Sequence, residues 1–222
     1  MKFSDRTIKF YQSLHINGKL PEGISVMNPY QDNQVIEICK TFYSKYYNDV
    51  KGRRLILGIN PGRYGAGVTG IPFTDPVRLE NDCGIDNNFE KRSELSSDFI
   101  YRLINQMGGP DHFYSHYYIG AVCPLGFMKD GKNFNYYDSR DLMHKLKKFI
   151  VQSIVDQVGL GISSRKCYCL GQGKNYQYLN YLNNDVKLFS EIVPLPHPRW
   201  VMQYRRKQMK RIISNTISEL IK

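Results

Sequence analysis

The sequence has no apolar run near the ~20 residues that a membrane-spanning helix needs. Its start, MKFSDRTIKF, is charged every few residues where a signal peptide would need an apolar stretch. Both absences point to a cytoplasmic protein that does not engage a membrane. Paired cysteines are also missing: Cys39, Cys83, Cys123, Cys167 and Cys169 form an odd set with no CxxC. A disulfide framework or a zinc ribbon needs paired thiols at ligand spacing, so both are excluded and reduced structural cysteines are expected. Acidic residues are scarce, 20 Asp and Glu against 31 Lys and Arg, which leaves a formal charge of +11 and a pI of about 9.4. That excess attracts polyanions, and nucleic acid is the commonest cytoplasmic one.

With 41% hydrophobic and 13% aromatic residues in a chain of 222, folding buries roughly 70% of the unfolded surface without metal or disulfide staples. One domain over residues 1–222 and a monomer are expected. Residues 1–50 read as helical, broken at Leu20-Pro21-Glu22-Gly23, because apolar positions from Ile8 to Tyr46 recur at three- and four-residue steps. Four apolar runs read as strands, at 53–59, 117–123, 167–170 and 188–195, and a long Gly/Pro-punctuated loop follows the first, to about residue 87. Helical periodicity marks 95–107, stopping at Gly108-Gly109-Pro110, then 142–158, 174–181 and 209–221. Such alternation predicts a three-layer α/β/α sandwich around a central, mostly parallel four-stranded sheet. In such sheets ligands bind beyond the carboxyl ends of the strands, so the four strand-end turns should converge on one cleft.

Several tempting motifs lead nowhere. Gly65-Ala66-Gly67-Val68-Thr69-Gly70 matches GxGxxG, but the strand has already ended at Ile59, and Pro72 and Pro76 deny an immediate helix, so no dinucleotide site is expected. Gly171-Gln172-Gly173-Lys174 lacks the spacing of a phosphate-binding Walker loop, and Asn175 stands where the magnesium-binding hydroxyl belongs. His112 and His116 can share a helix face but have no third ligand, so no metal is expected there. The basic run from Arg199 to Arg211 has no acidic residue between Leu195 and Ser218, which suits a phosphate grip.

The informative string is Gly58-Ile59-Asn60-Pro61-Gly62-Arg63-Tyr64-Gly65, continuing to Thr69-Gly70-Ile71-Pro72-Phe73, with His197-Pro198-Arg199 some 120 residues later. This ordered pair of loops resembles the uracil-DNA glycosylase superfamily, and within it the single-strand-selective monofunctional branch and its bacterial relatives. The resemblance implies a monofunctional DNA glycosylase of base-excision repair that flips uracil or a related deaminated base from single- or double-stranded DNA. Neither motif holds a lysine that would form a Schiff base. No cofactor is implied, and the four-cysteine pattern of the iron-sulfur branches is not present.

Hydrolysis of an N-glycosidic bond needs a tolerated positive sugar, a held water and a stabilised base anion. By resemblance Asn60 positions the water, His197 donates to the base carbonyl, and Phe73 stacks on the flipped base, a contact worth roughly 1–3 kcal/mol. Gly62 clears a side chain from the approach of the base, Tyr64 joins the substrate pocket, and Asp75 either assists Asn60 or forms an Asx turn before Pro76. Trp200 and Met202 supply a wedge for the vacated stack or, alternatively, anchor the last helix, while Arg199, Arg205, Arg206 and Lys207 hold DNA phosphates. In the single-strand-selective branch an Asn reads the uracil amide edge at the position of Ala121. Alanine makes no such bonds, which leaves three readings: other groups recognise the base, the substrate range differs, or the chain is a DNA-binding protein on a glycosylase scaffold with weak or no excision.

Overall fold

The computed structural model describes residues 1–222, apart from the side chain of Ser164. In chain order the elements are α1 (Phe3–Ser13), β1 (Ile24–Met27), α2 (Asn33–Tyr46), β2 (Arg53–Gly58), α3 (Ala66–Thr69), α4 (Pro76–Asn81), α5 (Leu95–Gln106), α6 (Gly109–His116), β3 (Tyr117–Ala121), β4 (Gly126–Lys129), β5 (Lys132–Phe134), α7 (Arg140–Gly159), β6 (Ile162–Leu170), α8 (Lys174–Val186), β7 (Glu191–Leu195), α9 (Pro198–Tyr204) and α10 (Met209–Leu220). The central sheet has the order β3-β2-β6-β7 and every pair in it is parallel.

Alternation along the strands divides the core into two layers. On one face Tyr118 meets Tyr11 of α1 and Tyr43 of α2, and Gln157 of α7 lies against Gly120. On the other, the hydroxyls of Tyr117 and Tyr168 both donate to the Leu220 carbonyl of α10. Arg53, at the start of β2, is buried: its guanidinium lies over the rings of Phe3 and Tyr47 and makes a two-pronged ion pair with Asp49. Those bonds satisfy a charge that burial would otherwise penalise heavily, and they tie the sheet to the N-terminal helices.

The expected α/β/α sandwich is present, with local corrections. The first 50 residues are not all helical, because β1 pairs with β4, and β4 with β5, in a separate antiparallel sheet. Strands of three or four residues carry too few side chains for a period to show. The expected loop to residue 87 holds α3 and α4; a turn of helix does form from Gly65, and it ends at Gly70 in the left-handed conformation before Pro72. Gly109-Pro110 starts α6 rather than merely ending α5, since proline needs no N–H bond in a first turn. The second strand stops at Ala121, the third begins at Ile162, the fourth begins at Glu191, and α8 runs on to Val186.

Candidate active site

The parallel strands end side by side: Gly58 pairs with Ala121, Leu57 with Cys169, and Leu170 with Leu195. The segments leaving those ends line one cavity of about 810 Å³. Asn60 and Phe73, from the segment after β2, and His197, from the segment after β7, all lie on its wall.

Asn60 follows β2 and is braced by the segment after β5. Its Nδ2 donates to the carbonyls of Pro61 and Phe134 at 3.3 and 3.4 Å, and its Oδ1 accepts from the Tyr136 N–H at 3.3 Å. These bonds orient the amide and leave its oxygen a second lone pair. Phe73 has a φ of +54°, a left-handed conformation uncommon outside glycine. Thr69 Oγ1 donates to the Thr74 carbonyl at 2.5 Å, and the Thr74 hydroxyl meets Tyr101 Oη at 2.9 Å, so the turn is held from behind. His197 precedes Pro198 at the start of α9. Burial, with the Arg199 charge adding to it, pushes its imidazole down to about 4. It is therefore neutral near pH 7, with one N–H to donate.

Other expected residues fall differently. The space above Gly62 belongs to Glu94 and Asn133: a Cβ there would lie 3.1 Å from Glu94 Oε1, and one on Gly65 would collide with Glu94 Oε2. Gly62 lines the cavity, and its missing side chain makes room there for the Glu94 carboxyl. Asp75 is buried away from the cavity wall, and its two oxygens accept the N–H groups of Arg78 at 2.9 Å and Glu94 at 2.8 Å. One of these bonds caps α4, as an Asx turn before Pro76 would, and the other holds the Glu94 backbone; neither brings Asp75 to Asn60. Tyr64 lies on the wall with the guanidiniums of Arg63 and Arg92 over its ring at 4.5 and 4.0 Å. Ala121 also lines the cavity, but its N–H and carbonyl are both paired with the Gln157 amide, at 3.3 and 3.0 Å.

The segment after His197 divides in two. Trp200 is 42% exposed at the cavity mouth, with Arg205 stacked on its ring at 5.0 Å. Met202 is buried and cannot contribute a wedge, because Pro198, Val201 and Met202 form the face of α9 that packs inward. Arg199 borders the cavity, and Arg205, Arg206 and Lys207 are exposed beyond it. Three contributors escaped sequence reasoning. Glu94 looks like an ordinary helix-start carboxylate, yet burial raises its pKa, against which Ser96 and Arg199 act. Lys132 adds a cation to the mouth, and Asn175 reaches the wall from α8. His112 and His116 do share α6, with ring centroids 4.7 Å apart, but lie off the cavity wall.

Among the described residues no helix is long and apolar enough to cross a membrane, and no three His, Cys, Asp or Glu side chains cluster as metal ligands. Residues 44–221 match the profile of the Uracil DNA glycosylase superfamily. The structure also matches the crystal structure of wild-type SMUG2 from Pedobacter heparinus with a TM-score of 0.96 and 46% sequence identity, over 99% of this chain and 97% of that one. These matches agree with the two motif loops and with the helix-rich start of the chain, and together they establish that the chain belongs to the uracil DNA glycosylase superfamily.

Proposed function

We propose that this DNA glycosylase takes uracil, or a related deaminated base, out of the DNA stack into the cavity and hydrolyses its bond to the sugar. The observation that carries this reading is the meeting of Asn60, Phe73 and His197 on one wall. In the reaction the bond from the anomeric carbon to the base nitrogen breaks, and its electron pair leaves with the base. His197, neutral and desolvated, donates its N–H to the base carbonyl as negative charge grows there, where a fixed donor acts most strongly. Water held by Asn60 Oδ1 bonds to the anomeric carbon and releases a proton to solvent. Phe73 stacks on the extruded base, and Trp200 occupies the space it leaves.

The cations at the mouth, Arg63, Lys132, Lys174 and Arg199, with Arg205, Arg206 and Lys207 beyond, track the phosphates. Five free, buried cysteines suit a reducing compartment, and we place the protein in the cytoplasm as a monomer. Incubation with labelled oligonucleotides bearing uracil, hypoxanthine, xanthine or a normal base, followed by alkaline cleavage of abasic sites, tests the activity. Strand cleavage at uracil and none at the normal bases is expected; no cleavage at any deaminated base would reject the reading.

A further inference from the structure

A base attached to its sugar through N1 offers the pocket two carbonyl acceptors if it is uracil, and one ring donor between them, N3–H. Deamination creates that donor, since the same ring nitrogen of cytosine is an acceptor. A pocket that selects uracil therefore needs a fixed acceptor at this position. Ala121 has no polar side chain to give, and its N–H and carbonyl are already bonded to Gln157. Among the described residues, two polar side chains on the cavity wall are more than nine-tenths buried: Ser96 and Asn175.

Asn175 stands where the other roles meet. Its Nδ2 donates to the Gly58 carbonyl at 3.5 Å, and Gly58 is the residue on which the Phe73 ring rests. A Cβ built on Gly171 would lie 3.5 Å from Asn175 Cβ and 3.8 Å from His197 Cδ2, so both side chains flank one glycine. The amide is also oriented. Nδ2 faces the Leu170 carbonyl and Cys169 Sγ, both at 3.2 Å, while Oδ1 accepts from Tyr136 Oη at 2.8 Å. With its N–H groups committed to the strand ends, the amide has one remaining capacity, the second lone pair of Oδ1.

We infer that Asn175 is the specificity-determining residue that reads the base, its Oδ1 accepting N3–H of uracil between the Phe73 stack and the His197 donor. The inference rests on the glycosylase reading above. It also predicts rejection of cytosine, whose N3 lone pair would face the Oδ1 lone pair at a buried site where neither is solvated.

The test compares single-turnover excision of uracil and 3-methyluracil from the same oligonucleotide. Both leave as anions through N1, but only uracil has the N3–H. The wild-type protein should favour uracil by roughly 10²-fold or more. In Asn175→Ala, uracil excision should fall by roughly 10-fold or more and the preference should shrink to within a few-fold. A purely structural role would slow both substrates alike and preserve their ratio. If melting shows that Asn175→Ala does not fold, Asn175→Ser, which retains a hydroxyl to bridge the strand ends but has no carbonyl, takes its place. A folded variant with the wild-type ratio, or a wild-type protein that excises both bases equally, would overturn the inference and leave the activity standing. Wild-type protein inert on uracil would overturn both.

Discussion

The ring of Phe73 rests directly on the backbone of Gly58: a methyl group on Gly58 would come within 2.7 Å of Phe73 Cε2 and 2.9 Å of Cζ. The φ of Gly58 is not positive, so alanine would meet no backbone strain there. The glycine is needed for the ring alone. Gly58→Ala should displace Phe73 and lower single-turnover excision about 10-fold or more, the scale of a lost stack. The two sites are coupled, so adding Gly58→Ala to Phe73→Ala should change the rate little. Additive losses in that double-mutant cycle would separate the glycine from the ring.

In the proposed reaction Asn60 and His197 act on opposite ends of the breaking bond. Asn60→Ala and His197→Ala should each lower excision by about 10²-fold or more with DNA affinity largely retained. Rapid-quench rates beside equilibrium binding decide this, and near wild-type rates in both variants would remove the proposed mechanism.

The pH dependence follows from the neutral imidazole. His197 titrates near 4 in the folded protein and near 6.5 in the unfolded chain. As pH falls below about 6.5 the unfolded state takes up a proton that the folded state refuses, so this group's contribution to stability declines until pH 4 and then levels off. His197→Gln should flatten that part of the stability curve in denaturant titrations. Excision should show no His197-dependent loss between pH 8 and about 5; an inflection near 6.5 that His197→Gln abolishes would contradict the burial of this group.

Asp75 is a structural test case. Its carboxylate caps α4 and holds the Glu94 backbone, so Asp75→Ala should reduce stability by about 2 kcal/mol, one cap and one further bond. Excision per folded molecule should fall much less than in Asn60→Ala. Equal losses in the two variants would return Asp75 to the chemistry.

The α9 segment should separate by face. Met202→Ala should destabilise the fold by about 2–5 kcal/mol, as truncation of a buried side chain does. Trp200→Ala should fold normally and excise more slowly. Neutralising Arg205, Arg206 and Lys207 together should weaken binding to all sequences alike and lower the salt slope by about 0.7–0.9 per lost phosphate contact. An unchanged slope would move the phosphate grip to the Arg63 and Lys132 side of the mouth.

Much of this was legible in the chain. The runs of β2 and β3, buried on both faces and closed by Asn60-Pro61-Gly62 and by the turn at Cys123-Pro124, announce parallel strands and their ligand-bearing ends. Asn60, Phe73 and His197 stand in two recognisable loops. The hairpin sheet that braces Asn60 was not legible, because its pairing is long-range and its strands carry three or four residues each. For Met202 the periodicity of a seven-residue helix is too short to tell its buried face from its exposed one.

The sequence by itself determined the four strands of the central sheet and the longer helices between them, the excess of cations and the two loops that identify the superfamily, since each is a local pattern of side-chain type. Only the tertiary structure decided which polar groups remain free to act. Asp75 and Gln157 are chemically as capable as Asn175, yet they are bonded to backbone groups away from the cavity wall, whereas Asn175 lies on it with a lone pair of Oδ1 to spare. A buried polar group must find partners, and which partners reach it depends on segments more than a hundred residues apart in sequence, such as Gly58 and Asn175, meeting at one sheet edge.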